Sequence, residues 1–262
     1  MSTPAINIVN LSIGYSGKPL FRPFSLEIPQ GSLTVMVGAN GTGKSTLLHT
    51  LAGSLPAVSG RIFIHGEDLR ALSFRRKARL ISLTYTERLL SGGLTVKELV
   101  EMGRQPYTGF MGHLSQEDND IVTDALDMVG IAHKCDSFLS DISDGERQKV
   151  MIARALAQQT PVMLFDEPTN FLDAASRLEI LHLIRDLVNR NSITAVLSGH
   201  DIAPMLAIAD HVVTVLPENV DNVAGIAMHP AGSIQATERL DTVFADRGIR
   251  FSPDCNDFIF KC

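Results

Sequence analysis

The chain has 262 residues, 45% of them hydrophobic, so we expect one large globular domain, with room for an insertion, around a sizeable buried core. Its 23 Lys and Arg against 29 Asp and Glu give a formal charge of −6, which argues against a general nucleic-acid surface and favours protein or small-anion partners. Cys135, Cys255 and Cys262 are odd in number and widely spaced, which indicates neither a disulfide framework nor a zinc cluster and predicts reduced cytosolic thiols.

Short strand-like runs alternate with turns in the N-terminal part of the chain. The runs are residues 6–9, 24–28, 33–37 and 61–65. Turn residues such as Ser16-Gly17 and Ser59-Gly60 separate them. This pattern predicts an antiparallel lobe that leads into a glycine-rich segment.

That segment, residues 38–46, reads Gly-Ala-Asn-Gly-Thr-Gly-Lys-Ser-Thr and matches the phosphate-binding pattern G-x-x-x-x-G-K-[ST] at every fixed position. An apolar run precedes it and a helical run, 45–52, follows, so the glycines lie in the strand-to-helix turn that the motif requires. The helix dipole and Lys44 favour phosphate, and the Ser45 hydroxyl is suited to bind Mg²⁺. The residues predicted to bind nucleotide in this loop are Gly38, Asn40, Gly41, Gly43, Lys44, Ser45 and Thr46.

From about residue 87 to 157 the pattern changes to helices. Thr95 with Glu98, and Ser115 with Asp118, have the spacing of capping boxes, each before apolar residues at helical spacing. These pairs predict an inserted helical lobe.

A further capping box, Ser143 with Glu146, opens the next predicted helix. With Gly145 beside the cap, this helix N-terminus offers a surface able to receive an anion. Taken alone, it is an ordinary helix start.

Apolar runs separated by a helical segment then indicate βαβ units and hence a parallel sheet. The runs are residues 162–165, 194–197 and 211–216, the helix is 175–189, and weaker strand signals follow at 226–228 and 258–260.

The first of these runs ends in Asp166 and Glu167. A carboxylate at the end of a buried strand near the phosphates can hold Mg²⁺, which is the role predicted for Asp166. Glu167 is the candidate general base for an attacking water. An acidic turn after a strand is by itself more often structural, but the phosphate loop in the same chain favours the catalytic interpretation.

The order of these motifs resembles that of ABC-type ATPases over about residues 5–216. The motifs are the phosphate loop, Ile142-Ser-Asp-Gly-Glu146, Phe165-Asp-Glu-Pro168, Asn170-Phe-Leu-Asp173 and Ser198-Gly-His-Asp201. The resemblance implies an α/β P-loop NTPase fold with a mixed sheet core, an antiparallel β lobe and an inserted helical subdomain. It implies one ABC ATPase domain over residues 1–262, divided into a nucleotide-binding core with the β lobe (1–86 and 158–216), the helical subdomain with the signature motif (87–157) and a C-terminal extension (217–262).

In that family two subunits dimerise head to tail, and the signature helix of one covers the γ-phosphate bound by the other. The resemblance therefore implies that the signature residues act in trans on a second copy of the chain. They are Ser143, Asp144, Gly145 and Glu146.

Three more residues take roles from the resemblance. Tyr15 matches the aromatic residue that stacks on adenine, and Asp173 matches the loop that communicates across the dimer. His200 matches the residue that contacts the γ-phosphate and orients water. Without the family, Tyr15 reads equally well as a core residue, and a lone histidine at a strand end, such as His200, is more often structural.

Two departures from the family place a carboxylate where a neutral group is usual. Glu87 most plausibly occupies the position of a glutamine that binds Mg²⁺, and a carboxylate can bind Mg²⁺ but cannot donate a hydrogen bond to phosphate. Asp144 replaces a signature glycine at the positive end of its helix. There it would oppose a γ-phosphate if its side chain faced the nucleotide, so we expect it to point away.

Within the family, residues 94–118 resemble importers of iron chelates, haem and cobalamin. No run approaches the roughly 18 apolar residues of a membrane span, and residues 1–6 lack the features of a signal peptide. The resemblance implies a peripheral position on the cytoplasmic face of the inner membrane, a polytopic permease partner and, indirectly, an extracytoplasmic substrate-binding protein.

An apolar loop in this region is a plausible groove for a helix of the membrane partner, unless it folds onto its own core. Its residues are Pro106, Tyr107, Phe110 and Met111.

Two alternatives to the importer stay open. One is a soluble ATPase that regulates a non-transport assembly, and the other is a module that senses nucleotide with weak hydrolysis. No Asn-Lys-x-Asp guanine-reading motif occurs, so ATP with Mg²⁺ is the expected cofactor pair, and no nucleic-acid partner is expected.

We predict that Glu87 replaces the glutamine as a metal ligand and that activity survives both departures. Glu87→Gln and Asp144→Gly should therefore leave the ATPase rate of the assembled complex without a large gain, as measured by phosphate release. A large gain in either variant would contradict this prediction.

Overall fold

A six-stranded sheet lies at the centre of the computed structural model, which describes residues 3–85, 93–109, 112–216, 225–243, 249–254 and 257–260. The strands are β1 (Ile6–Ser12), β2 (Gly14–Tyr15), β3 (Lys18–Pro19), β4 (Phe24–Ile28), β5 (Leu33–Val37), β6 (Ser59–Ile64), β7 (Glu67–Asp68), β8 (Ile81–Tyr85), β9 (Val162–Asp166), β10 (Thr194–Ser198), β11 (His211–Val215), β12 (Ile226–Pro230), β13 (Ile249–Ser252) and β14 (Asp257–Phe260). The α-helices are α1 (Lys44–Leu51), α2 (Phe74–Leu80), α3 (Val96–Glu101), α4 (Gln116–Met128), α5 (Asp144–Ala157), α6 (Ala174–Asn191), α7 (Ile202–Ile208) and α8 (Ile234–Thr242).

The central sheet has the strand order β12-β11-β5-β10-β9-β8. It is parallel from β11 to β8, and β12 runs antiparallel at one edge. Every residue of β5, β9 and β10 is buried, as expected of parallel strands that are covered on both faces. The predicted parallel sheet, and the weaker strand predictions that correspond to β12 and β14, are confirmed.

Successive residues of the central strands enter two different hydrophobic cores, because side chains alternate between the faces of a sheet. In β9, Met163 and Phe165 pack into the core shared with α3 to α6. Val162 and Leu164 pack into the core shared with α1 and the antiparallel strands. The ends of the strands are thus held from both sides.

The strands β4, β1, β6 and β7 form a separate antiparallel sheet, which matches the predicted lobe. The prediction that placed β5 among these strands is wrong, because β5 lies between β11 and β10 in the parallel sheet. Every residue of β5 is buried, whereas β4 has exposed positions between buried ends, as a strand with one solvated face does.

The capping boxes predicted before α3, α4 and α5 are all present. In each, the Ser or Thr hydroxyl accepts from the backbone N–H three residues later, and the acidic side chain there accepts from the cap backbone. These helices supply most of the inserted helical segment. Within the ranges described, no helix combines the length and the apolar character needed to cross a bilayer.

Tyr107, which was expected in an apolar docking loop, is engaged within its own chain. Two guanidinium groups lie over its ring, that of Arg79 at 4.7 Å and that of Arg104 at 4.0 Å from the ring centroid. Its hydroxyl donates to the backbone carbonyl that follows α5, at 3.0 Å. Phe110 and Met111, the other large side chains of the expected loop, lie outside the described residues.

The buried Arg104 joins this turn to the start of α4. Its Nε donates to Asp118 Oδ1 at 2.8 Å, and both side chains are nearly inaccessible to solvent. Hydrogen bonds from the Ser115 hydroxyl and backbone, followed by that from Arg104, lower the pKa of Asp118 from 3.8 to about 2.

Asp118→Ala is expected to lower the free energy of unfolding by about 3 kcal/mol, because it leaves the guanidinium of Arg104 buried without its carboxylate. Since the pKa of Asp118 is lower in the folded state, its contribution is present above about pH 4 and is lost as the pH falls toward 2. Urea unfolding across that range should therefore show a smaller loss of stability in the variant than in the wild type.

Asp120→Ala is the matched control, since Asp120 is an exposed carboxylate on the same helix that accepts from Gln116. It should change stability by less than about 0.5 kcal/mol. Equal acid sensitivity of the wild type and Asp118→Ala would contradict the account.

Candidate active site

The glycine-rich loop, residues 38–43, connects β5 to α1 as predicted. Gly43 has a φ of +97°, and a Cβ added there would lie 2.9 Å from Cε2 of Phe21. Gly43 is therefore required both by its left-handed backbone and by the buried ring against it. Gly41 also has a positive φ, +77°, but a Cβ there would meet nothing within 4 Å.

The helix α1 starts directly after this loop without a capping side chain, unlike α3, α4 and α5 in the described chain. Its first N–H groups and the positive end of its dipole are left for an anion. This arrangement fits a phosphate ligand.

Lys44 is 5% exposed and curls back over the loop. Its Nζ donates to the carbonyls of Gly38, at 2.8 Å, and Ala39, at 3.0 Å. Burial lowers the pKa of Lys44, and the nearby carboxylates of Glu167 and Asp166 partly oppose that shift. The ammonium group is thus held at the loop with acceptors that a phosphate could replace.

Asp166, at the end of β9, connects the start of α1 to the end of β10. Its Oδ1 accepts from Ser45 Oγ at 3.1 Å and from Ser198 Oγ at 2.6 Å. Ser198 is the register partner of Asp166 in the parallel pair β10 and β9, which places the two side chains together. Hard oxygen donors of this kind fit Mg²⁺, and Ser45 and Asp166 are the residues that would hold it.

Glu167 follows β9 in a left-handed conformation, with a φ of +52°. Its Oε1 lies 2.6 Å from His200 Nε2, and its Oε2 accepts from Asn170 Nδ2 at 3.2 Å. The two predicted catalytic side chains are therefore in direct contact.

The phosphate loop, the start of α1, Glu167 and His200 surround one cavity of about 550 Å³. Tyr15 stands at its wall with 57% of the residue exposed, and its hydroxyl lies 2.9 Å from Thr46 Oγ1. The cavity is lined by Tyr15, Leu20, Asn40, Gly41, Gly43, Lys44, Ser45, Thr46, Glu167 and His200. The structure therefore brings together most of the residues that the sequence predicts for nucleotide binding and catalysis.

The signature residues begin α5 and do not line this cavity. They are Ser143, Asp144, Gly145 and Glu146. Asp144 Oδ1 accepts from Arg147 Nη1 at 2.7 Å, so its carboxylate turns along its own helix. A Cβ on Gly145 would lie 3.2 Å from Ser176 Oγ, so the signature glycine faces the start of α6. Glu146 completes the capping box of α5.

Asp173 also lies outside the cavity lining, where it caps α6. Its Oδ1 accepts from the backbone N–H groups of Ala175 and Ser176, both at 2.9 Å. The hydrogen bonds from Ser176 and Ala175 lower the pKa of Asp173. Glu87, predicted as a metal ligand, lies outside the described residues.

Sequence reasoning assigned no role to Ser198, Asn170 and Leu20. Ser198 ends an apolar strand two residues before His200, and Asn170 follows Glu167 by three residues, so both positions carried a usable signal. Leu20 also lines the cavity but carried no such signal, because the separate β2–β3 hairpin that precedes it brings it there.

The fold and the site define a P-loop nucleotide-binding protein, in which strand ends of a parallel sheet surround a phosphate loop. Comparison with known proteins narrows the class. The family model described as ABC transporter matches residues 21–170, which is more than half of the chain.

Two relatives show what the chain is similar to. The achromobactin transport ATP-binding protein of Dickeya dadantii is 36% identical over 211 residues, which cover 80% of this chain and 78% of that protein. The ferric enterobactin transport ATP-binding protein of Escherichia coli is 34% identical over 203 residues, covering 78% and 75% respectively. The chain therefore belongs to the ABC transporter family and is one of its ATP-binding subunits, which are ATPases.

A solved structure gives the same result. An ABC transporter assigned to the metal-chelate type, in an inward-facing conformation, superposes with a TM-score of 0.78 at 25% identity. The match covers 92% of this chain and 89% of that one.

Gly43→Ala should destabilise the protein more than Gly41→Ala. Both substitutions put an L-residue into a left-handed conformation at a cost of about 1 kcal/mol, but only the Gly43 variant also forces a Cβ against Phe21. Chemical denaturation without nucleotide measures the difference. Equal losses in the two variants would show that the Phe21 contact does not constrain the loop.

Proposed function

We propose that this chain is the ATP-hydrolysing subunit that powers a membrane importer of a metal chelate, of the iron-siderophore, haem or cobalamin type. The observation that carries the ATPase activity is the convergence of Lys44, Glu167 and His200 on one cavity beside an uncapped helix N-terminus. The similarity to the achromobactin and ferric enterobactin transport proteins, and to a metal-chelate type transporter, supports the cargo class.

In this proposal the loop amides and Lys44 hold the phosphates of ATP, and adenine stacks on the exposed ring of Tyr15. Ser45 and Asp166 would hold Mg²⁺, with Glu87 as a further ligand. The ion would neutralise charge on the phosphate oxygens. The phosphates thus meet nitrogen donors and the cation meets oxygen ligands, as each requires.

The contact between Glu167 and His200 supports a role for both in hydrolysis. Glu167 accepts the proton of the attacking water. His200 keeps the carboxylate of Glu167 at the cavity wall and orients the water toward the γ-phosphate. Asn170 restrains the other carboxylate oxygen.

Ser143 and Gly145 do not line the cavity of their own chain, which supports a role for them at the site of a second copy. We infer a head-to-tail homodimer in which the N-terminus of α5 covers the γ-phosphate of the partner and Asp173 communicates across the interface. The pairing of Asp144 with Arg147 offsets the charge that this carboxylate would bring to the phosphate.

The proposed dimer lies on the cytoplasmic face of the inner membrane, peripherally, on a polytopic permease. A substrate-binding protein on the other side contributes indirectly. Residues 87–157 form the helical subdomain in this account, residues 1–86 and 158–216 the nucleotide-binding core, and 217–262 a C-terminal extension. ATP binding closes the two copies, and hydrolysis releases them.

Glu167→Gln is expected to lower the ATPase rate by at least about 100-fold, because the amide cannot accept the proton of the attacking water. ATP binding should persist, so an ATP-dependent dimer should accumulate and be visible by size-exclusion chromatography. Glu179→Gln, at a carboxylate paired with Lys149 on the surface, is the matched control and should behave as the wild type.

If the chain is instead a nucleotide sensor with weak hydrolysis, Glu167→Gln will change neither the rate nor the dimer population. That result would overturn the proposed ATPase function while leaving nucleotide binding in place.

A further inference from the structure

Ser198, the last residue of β10, lies fully buried between the two acidic residues of the site. It is paired in register with Asp166 on one neighbouring strand and with Met36 on the other. Its hydroxyl is therefore placed by backbone hydrogen bonds on both sides rather than by a flexible loop.

The chemistry of its partners fixes the direction of both hydrogen bonds of this hydroxyl. A carboxylate can only accept, so Ser198 Oγ donates its proton to Asp166 Oδ1, at 2.6 Å. A backbone N–H can only donate, so the N–H of Glu167 bonds to a lone pair of Ser198 Oγ, at 3.1 Å. One buried hydroxyl thus connects the side chain of the first acid to the backbone of the second.

The second of these bonds acts on a strained residue. Glu167 has a φ of +52°, a left-handed conformation that is strained for an L-residue and that persists only when the surroundings hold it. The N–H of Glu167 is held at Ser198 by both the hydroxyl, at 3.1 Å, and the backbone carbonyl, at 3.2 Å. This conformation carries the carboxylate to the cavity wall beside His200.

The hydrogen bond from Ser198 to Asp166 affects a proposed ligand of Mg²⁺. Asp166 Oδ1 is shared between Ser198 and Ser45, the residue that follows the loop lysine. A carboxylate oxygen fixed by a buried donor keeps its orientation toward Ser45, so less order has to be gained when a cation binds.

We propose that Ser198 is a positioning residue for the Mg²⁺-nucleotide complex, acting through the orientation of Asp166 and the backbone of Glu167. The inference rests on the proposed function and adds Ser198, a residue to which that function assigns no role. Ser198 itself touches neither the nucleotide nor the cation in this account.

The test compares ADP binding with Mg²⁺ and with EDTA by isothermal titration calorimetry, using the full chain. In Ser198→Ala, the gain in ADP affinity caused by Mg²⁺ should fall about tenfold relative to the wild type, because a charge-assisted hydrogen bond is lost. The affinity measured in EDTA should not change. Ser198→Thr keeps the hydroxyl and should restore the effect of Mg²⁺.

Thr34→Val is the matched control. Thr34 is fully buried on the adjacent strand β5, and its hydroxyl has no hydrogen-bond partner among the described residues, so its removal should leave both affinities unchanged. If Ser198→Ala does not fold, Ser198→Cys, which has nearly the same size but is a weak donor, replaces it with the same expected loss.

If Mg²⁺ raises the ADP affinity of Ser198→Ala as much as that of the wild type, the inference is overturned and the proposed function is left intact. An equal loss in Ser198→Thr would have the same consequence, since the hydroxyl would then not be the cause. Absence of any Mg²⁺-dependent ADP binding by the wild type would instead overturn the proposed function, and the inference with it.

Discussion

The carboxylate of Asp166 is the point on which the rest of the site depends. Its Oδ1 accepts hydrogen bonds from Ser45, at the start of α1, and from Ser198, at the end of β10. Segments separated by more than a hundred residues are thereby held within hydrogen-bond distance, although each is positioned by its own strand. The phosphate loop, Glu167 and His200 line one cavity because the strands that precede them end at the same edge of the sheet.

The positions of the strand ends at that edge are fixed because the strands are buried on both faces. Alternate residues of β5, β9 and β10 enter two separate cores, so a one-residue shift in register would move each apolar side chain into the opposite core, away from its packing partners. Asp166 ends one of these buried runs, and Glu167 and His200 lie just beyond them, beside the cavity. The capped N-terminus of α5, by contrast, does not line the cavity, which is why the proposed function assigns its residues to the site of a second copy of the chain.

Much of this arrangement could be predicted from the sequence, because it depends on local rules. Capping boxes, apolar runs and the glycine-rich turn each act over a few residues, and they located α3, α4, α5 and the parallel strands β9, β10 and β11 correctly. The assignment of β5 to the antiparallel lobe failed because a short apolar run does not reveal which sheet it joins. The contacts of Tyr107 with Arg79 and Arg104, and those of Ser198 with Asp166 and Glu167, join distant segments and are encoded in no local pattern.

The most direct test of the account is a crystal structure of the chain with Mg²⁺ and a non-hydrolysable ATP analogue. The account predicts the phosphates on residues 38–46, adenine on Tyr15, the cation at Ser45 and Asp166, and Ser143 of a second copy against the γ-phosphate. A nucleotide bound elsewhere, or a cavity that stays empty at saturating analogue, would contradict it.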